Sequence, residues 1–397
     1  GYLNGQVAEQ VADSIAAHLE TCDACAGSVE TLESRPDRLI EAIRGGDPQI
    51  PFEGEPECAN AIAVLDRLFA DGFSESDPGR DAPSSPGVLG RLREYQLLER
   101  LGEGGMGTVY KAMHSRLKRV VALKVLVPHR MNDPRAIARF HREMELIGSL
   151  DHRHLVRATD AGDVDGTHFL VMEFVEGLNL SVLVSRLGPL PVADACELVR
   201  QAALGLQHAH ENQLVHRDIK PSNLILSSKG IVKILDLGLA RLRDDEALAK
   251  DLTGTGQMMG TVDYMAPEQA TDTHAVDIRA DLYSLGCTLF KLLTGNAPFV
   301  TDERKHALLT LKAHLEAPVP SVRDSRDDVP VELDALVARL LAKSPDDRFS
   351  TPAEAAAALE PWCAGNDLPR LLSRARGGQA AIRERAETSK GSNAPVV

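Results

Sequence analysis

Apolar residues near the start of the chain recur at every fourth position, as in Val7, Val11 and Ile15. A second apolar rhythm of this kind runs from residue 61 to residue 69. Such spacing places apolar side chains on one face of an α-helix. The pattern predicts a small helical module over residues 1–71.

The segment that follows, "DGFSESDPGRDAPSSPGVLG", contains few large apolar residues and many of Gly, Pro, Ser and Asp. This composition is typical of loops and linkers rather than of packed elements. We therefore predict a flexible linker over residues 72–94.

Short β-rich runs dominate the chain from residue 95 to about residue 175, broken by one stretch of helical periodicity at about 134–149. The runs are "YQLLERLG", "GTVYKAMH", "RVVALKVL" and "HFLVMEFV", and they predict a mostly antiparallel sheet with one helix. Helical periodicity prevails after residue 180, interrupted by short strands at "LILS" and "VKILD". The chain should end in a polar tail over residues 363–397.

The charge balance narrows the range of partners. A formal net charge of -14 argues against nucleic acid or an anionic membrane as the main partner, because both attract basic surfaces. The sequence contains no run of eighteen apolar residues, so we expect no membrane span in it. Its six cysteines in 397 residues are too sparse for a disulfide scaffold. We expect a cytoplasmic protein that binds no nucleic acid.

Three glycines, Gly102, Gly104 and Gly107, lie in the turn between the first two predicted strands, in "LGEGGMGTVY". Glycine lets the backbone approach phosphates closely and present its N–H groups to them. A strand follows this turn, whereas a helix follows the glycines of a dinucleotide-binding loop. Taken singly, the turn fits a phosphate-binding loop and a plain glycine hairpin equally well.

Lys124 lies inside the apolar run "VVALKVLV", where an unpaired charge would be costly. Nucleotide phosphates and Glu143 on the following helix are two candidate partners. The alternative is an edge strand that leaves the ammonium group in solvent.

The densest group of polar residues is "VHRDIKPSNLIL", which holds Asp218, Lys220 and Asn223 between apolar segments, and Asp236 follows in "KILDLGLA". The oxygens of Asn223 and Asp236 are hard ligands of the kind that Mg²⁺ prefers. Asp218 can accept a hydroxyl proton while Lys220 neutralises charge on a moving phosphoryl group. Any one of these residues could be a helix cap or a chance polar residue, but all of them in this order indicate phosphoryl transfer.

Together these segments resemble the eukaryotic-like protein kinase family in its bacterial Ser/Thr form, over residues 95–362. The resemblance implies an α+β, bilobal protein kinase fold, with a small antiparallel β-sheet lobe carrying one helix and a larger, mainly helical lobe, preceded here by the helical module. It implies ATP and Mg²⁺ as cofactors and protein substrates that accept the γ-phosphate. Lys220 matches the lysine that marks Ser/Thr members, and Leu237 replaces the commoner Phe after Asp236.

The resemblance also assigns residues to the site. Asp218, Lys220 and Asn223 are the expected catalytic residues, and Asn223 and Asp236 the expected Mg²⁺ ligands. The residues expected to bind the nucleotide are Leu101, Gly102, Glu103, Gly104, Gly105, Met106, Gly107, Thr108, Val109, Ala122, Lys124, Glu143, Glu173, Val175 and Asp236.

Further matches have structural or regulatory roles in the family. Glu268 is expected to pair with Arg348, and Asp281 to hold the catalytic loop. Thr261 resembles a threonine that bonds the catalytic Asp and Lys. In the family such an activation segment serves protein substrates, and here it is intact through Glu268, so the resemblance disfavours a small-molecule phosphotransferase. The lysine and the two aspartates that pseudokinases usually lose are present here, at positions 124, 218 and 236.

Arg217 precedes the catalytic aspartate, and an arginine there can bind a phosphate on the activation segment. Thr253 and Thr255 in "DLTGTGQMMG" are the expected acceptors of autophosphorylation, which could proceed in trans within a homodimer. The alternative is that both threonines only line a loop.

His18, Cys22 and Cys25, in "AAHLETCDACAG", have the spacing of metal ligands on successive turns of a helix. They resemble the zinc-finger of anti-sigma factors, which implies Zn²⁺. A redox-active thiol pair and two cysteines that merely pack beside a helix remain the alternatives.

Overall fold

The computed structural model describes eight stretches of the chain. They are residues 89–104, 107–126, 142, 144–164, 166–237, 262–271, 276–300 and 307–377. The predicted helical module and the candidate zinc ligands His18, Cys22 and Cys25 lie outside these residues, as do Glu143, Thr253, Thr255 and Thr261.

A six-stranded antiparallel sheet forms the first lobe, in the order β1-β2-β3-β4-β6-β5. The strands are β1 Gly90–Leu92, β2 Tyr95–Gly104, β3 Gly107–His114, β4 Arg119–Leu126, β5 Ala158–Val164 and β6 Thr167–Glu173. Half-buried and exposed residues alternate strictly along β5, as expected of an edge strand with one face partly covered. Four of these strands coincide with the β-rich runs of the sequence, so the predicted sheet is confirmed.

The sheet begins inside the segment predicted as linker. Leu92 is buried, and it pairs with Tyr95 across a tight β1–β2 hairpin. The linker prediction is therefore wrong for its last residues, because a single buried leucine among polar neighbours gives no visible periodicity in the sequence.

Part of the predicted helix of this lobe falls within the described residues. Residues 144–149 are helical, and Met144 and Ile147 pack against Leu170 and Met172 on β6. This contact covers one face of the sheet with an apolar helix face, as the i, i+3 spacing of the two side chains requires.

The second lobe consists mainly of helices and includes a small three-stranded antiparallel sheet. The strands are β7 Gly177–Asn179, β8 Leu224–Ser227 and β9 Val232–Ile234. In the described stretches up to residue 359, the α-helices of this lobe are α1 Leu180–Leu187, α2 Val192–Glu211, α3 Pro267–Thr271, α4 Ile278–Thr294, α5 Ala307–Glu316, α6 Val331–Leu340 and α7 Pro352–Leu359. The predicted arrangement of a β-sheet lobe followed by a helical lobe is confirmed.

Helix α4 is buried on nearly every side and forms the centre of the helical lobe. The close approach of α6 depends on Gly286, since a Cβ atom there would lie 2.7 Å from Cβ of Leu340. The helix ends at Gly295, whose φ of 88° is the left-handed conformation that favours glycine. Within the described stretches, no helix combines the length and the apolar character needed to cross a membrane.

The chain stays packed beyond residue 362. Residues 368–377 are helical, and their buried side chains join the core of the helical lobe. These side chains are Leu368, Leu371, Leu372 and Ala375. The predicted polar tail therefore starts too early: its Gly- and Ser-rich end obscured an i, i+3, i+4, i+7 apolar pattern just before it.

Candidate active site

A buried carboxylate on α4 fixes the loop over residues 216–220. Asp281 accepts hydrogen bonds of 2.7 Å from the backbone N–H groups of both His216 and Arg217. Burial raises the pKa of Asp281, while His216 and the two N–H donors act in the opposite direction. The ring of His216 also bonds the carbonyl oxygen of Leu235, at 2.7 Å, and so joins the loop to the segment after β9.

Asp218, Lys220 and Asn223 form one hydrogen-bonded group. The Lys220 ammonium lies 3.0 and 2.9 Å from the two carboxylate oxygens of Asp218. The Asn223 side-chain amide donates to the Asp218 carbonyl oxygen at 2.8 Å and to its carboxylate at 3.1 Å. The Asp218 carboxylate is therefore held by donors on two sides, which fixes its orientation.

Lys124 and Asp236 meet across the cleft between the two lobes. Their charged atoms lie 2.8 Å apart, with 5% of the Lys124 side chain exposed and 32% of the Asp236 side chain. Asp236 has a φ of 54°, and the adjoining Leu235 N–H donates to the carbonyl oxygen of Asn223 at 2.8 Å. This bond places the two predicted metal ligands on neighbouring segments.

The donor atoms of this group suit Mg²⁺. Because the Asn223 amide nitrogen faces Asp218, its side-chain oxygen is the atom suited to a metal, and the Asp236 carboxylate is partly open to solvent. In the part of the chain that the structure covers, no three His, Cys, Asp or Glu side chains gather into a metal cluster. Two oxygen ligands with phosphate and water completing the shell are what Mg²⁺ commonly takes.

The glycine-rich hairpin packs tightly onto β4. Gly107 has a φ of 139°, and a Cβ atom there would lie 1.9 Å from the Val125 carbonyl oxygen, so a side chain is excluded. Glu103 pairs with Thr108, and Gly102 with Val109, across the hairpin, which carries Leu101 and Gly104 on the same strand β2. Gly105 and Met106, at its tip, lie outside the described residues.

Three of the predicted nucleotide-binding side chains share one face of the sheet. Val109 is the direct cross-strand partner of Lys124, and Ala122 lies two residues before Lys124 on β4. Ala122 pairs in turn with Met172, next to Glu173 and Val175 in the segment that links the lobes. The sheet thus brings together an apolar surface and one cation, which are suited to a purine and its phosphates.

The predicted pair of Glu268 and Arg348 is present. Two guanidinium nitrogens of Arg348 lie 2.6 and 2.8 Å from the two carboxylate oxygens of Glu268. Gln269, the residue after Glu268, donates to the Arg217 carbonyl oxygen at 2.9 Å and so ties α3 to the loop over residues 216–220.

Two residues at the site were not predicted. Gln269 gives no periodic or charge pattern in the sequence. Lys233 could have been predicted, because it is a lysine inside an apolar run, "VKILD". The same criterion identified Lys124. The Lys233 ammonium lies 2.6 Å from the Glu173 carboxylate.

Comparison with known proteins places this arrangement in a family. The family described as "Protein kinase domain" matches residues 95–362. Three similar curated proteins are the serine/threonine-protein kinases PknE of Mycobacterium bovis, PknB of Mycolicibacterium smegmatis and PknD of Mycobacterium tuberculosis, which are 36%, 38% and 39% identical. The alignments cover 72%, 70% and 69% of this chain. They cover 49%, 45% and 40% of the relatives, so the chain spans about half of their length or less.

A solved structure supports the same assignment. The crystal structure of the Mycobacterium tuberculosis PknI kinase domain aligns with a TM-score of 0.54 at 29% identity. The alignment covers 70% of this chain and 100% of that one. By this match over residues 95–362, the chain belongs to the protein kinase family.

Proposed function

We propose that this chain is an ATP-dependent protein kinase that transfers the γ-phosphate to serine or threonine hydroxyls of proteins. The observation that carries the proposal is the Asp218 carboxylate, bound by Lys220 and Asn223 beside the pair of Lys124 and Asp236. The names of the mycobacterial relatives, which are serine/threonine-protein kinases, support the choice of acceptor.

Each residue of this group has a distinct task in the proposed reaction. Asp218 orients the acceptor hydroxyl and takes its proton, while Lys220 balances negative charge on the phosphoryl group in transit. Lys124 binds phosphate oxygens of ATP, and Asn223 and Asp236 would hold Mg²⁺. When bound there, the ion supplies positive charge against the phosphates.

The proposed nucleotide site is the sheet face with Val109, Ala122 and Lys124, closed by the glycine-rich hairpin and by the backbone of residues 173–175. Val175 and Glu173 would bond the adenine, and Glu143 would pair with Lys124 when ATP is bound. Because the proposed reaction uses ATP, we place it in the cytoplasm. Its proposed substrates are proteins.

A phosphotransfer assay tests the proposal. The chain, incubated with radiolabelled ATP, Mg²⁺ and a generic basic protein substrate, should give phosphoserine and phosphothreonine, and chelation of Mg²⁺ should abolish the label. The competing function is that of a pseudokinase scaffold. Nucleotide binding without any transfer would favour that scaffold over the enzyme.

Regulation by autophosphorylation is part of the proposal. A phosphate on Thr253 or Thr255 would bind Arg217, whose backbone is held on both sides by Asp281 and Gln269. Mass spectrometry should find phosphate at one of these threonines, and the double Ala variant should turn over more slowly. Transfer within a homodimer would make the rate per chain rise with protein concentration.

For the N-terminal module over residues 1–71 we propose a zinc site formed by His18, Cys22 and Cys25, on the chemistry of these ligands and their spacing. Elemental analysis of the full chain should find Zn²⁺ that is lost in a variant with both cysteines changed to serine. Equal metal content in the two proteins would contradict the site.

A further inference from the structure

Lys233 binds two different elements at once from the middle of β9. Its ammonium lies 2.6 Å from a carboxylate oxygen of Glu173 and 3.0 Å from the carbonyl oxygen of Leu155. Only 18% of the Lys233 side chain and 24% of the Glu173 side chain are exposed. A pair this well shielded is screened by salt less than a surface pair is.

Glu173 is bound to the chain before β5 by further hydrogen bonds. Its carboxylate accepts from the Arg157 N–H at 3.0 Å, and its own N–H donates to the Arg157 carbonyl oxygen at 3.0 Å. Both its backbone nitrogen and its side chain are therefore engaged in holding the start of the interlobe segment in place.

The strand that carries Lys233 is itself fastened to the same part of the chain. The Ile234 N–H donates to the His154 carbonyl oxygen, and the Val156 N–H donates to the Ile234 carbonyl oxygen, both at 2.9 Å. Beyond this strand lies Asp236, the predicted metal ligand. Lys233 thus links the interlobe segment directly to the strand that leads into the metal ligand.

We infer that Lys233 is a positioning residue that sets the adenine end of the nucleotide site relative to its metal end. It acts through Glu173, on which the backbone contact with adenine is expected, and it does not touch the nucleotide itself. This inference rests on the proposed function, because it concerns the same nucleotide site.

The physical effect of removing the ammonium follows from these contacts. Without Lys233, the Glu173 carboxylate keeps the Arg157 N–H but loses its counter-charge, so it gains by turning towards water. The interlobe segment would then be less well ordered before ATP binds. ATP would then bind more weakly, because part of its binding free energy is offset by the ordering of this segment. The chemical step would be little changed once ATP is bound.

The test compares Lys233→Met, Lys233→Arg and Glu173→Gln with Lys229→Met, which makes the same change on the exposed turn of the same hairpin. We expect Lys233→Met to raise KM for ATP about three- to thirty-fold and to leave kcat within about twofold. Lys233→Arg should restore most of the affinity, and Lys229→Met should match the parent protein. Melting curves verify that each variant is folded.

Because Lys233 is argued to act through Glu173, the double variant Lys233→Met, Glu173→Gln should be no weaker than the worse single variant. Additive losses, an unchanged KM in Lys233→Met, or a loss confined to kcat would each overturn the inference. Calorimetric titration of the same proteins with Mg²⁺ and ADP gives the affinity without turnover. A parent protein that binds ADP but transfers no phosphate would defeat the proposed function alone, and the ADP affinities of the variants would still decide the role of Lys233.

Discussion

Arg348 carries its charge into the interior of the helical lobe, where none of its side chain is exposed. Both terminal nitrogens bind the Glu268 carboxylate. Glu268 is the last residue of the predicted activation segment, which is expected to position protein substrates. The Arg348 donors also bind the carbonyl oxygens of Ala342, Lys343 and Arg279. The planar guanidinium binds both oxygens of one carboxylate at the same time, and the ammonium group of a lysine cannot reproduce this bidentate geometry.

We therefore expect Arg348→Lys to lower the free energy of unfolding by roughly 2–4 kcal/mol, because the Glu268 carboxylate, only 17% exposed, loses one of its two charge-assisted hydrogen bonds to a fully buried cation. Urea unfolding at neutral pH measures the change. Arg370→Lys, at an exposed position of the C-terminal helix, is the matched control and should change the free energy by less than about 0.5 kcal/mol. Equal stability of Arg348→Lys and the control would contradict this account of the pair.

The helix over residues 368–377 contributes to the core of the helical lobe, although it lies outside the stretch that the family match covers. Its apolar side chains lie in the main core, and the N–H of Asp367 donates to the Asp194 carboxylate at the start of α2. Arg186 on α1 donates to the carbonyl oxygen of Ala375 near the other end of the helix. The helix is thus fixed to two other helices along its length.

Leu371→Ala should therefore cost about 2–4 kcal/mol of unfolding free energy, because it leaves a cavity in a closed core. The same change at Leu308, which is 63% exposed on α5, should cost less than about 1 kcal/mol. Chemical denaturation of both variants provides the comparison. If the Leu371 variant were as stable as the Leu308 variant, the helix would not be part of the core in solution.

At the scale of the molecule, buried histidines make folding stability depend on pH. Burial lowers the pKa of His154 to about 4 and that of His314 to about 3, and also lowers the pKa of His152, whose ring stacks on His208 at 5.0 Å. His154 and His314 are therefore neutral in the folded state down to pH 5, whereas in the unfolded chain they take up protons near pH 6.5.

Stability should consequently fall as pH drops below about 6.5, by up to about 1.4 kcal/mol per histidine per pH unit until the folded pKa is reached. Urea unfolding at pH 7, 6 and 5 measures this slope. His154→Asn, which can still donate to the Val232 carbonyl oxygen, should show a shallower slope than the parent. A free energy that stays constant from pH 7 to pH 5 would be inconsistent with neutral buried rings.

Much of the molecule follows from local sequence patterns. Most strands of the sheet lobe coincide with β-rich runs, and the polar group around Asp218 is contiguous in sequence, so both could be predicted. Strand β1 and the C-terminal helix were missed because each depends on tertiary packing of a few leucines within polar surroundings. Gln269 acts through a contact between segments far apart in the chain, and such a contact leaves no periodic pattern, whereas Lys233 could have been predicted as a lysine within an apolar run.

The central claim is that the Asp218 carboxylate serves phosphoryl transfer, and the most direct test is the steady-state rate of Asp218→Asn. The amide keeps the size of the side chain and its contact with Asn223 but cannot accept the hydroxyl proton, so kcat should fall about 10²- to 10⁴-fold with ADP affinity nearly retained. Asp327→Asn, at an exposed site, should behave as the parent. An Asp218→Asn protein that phosphorylates substrate at the parent rate would contradict the claim.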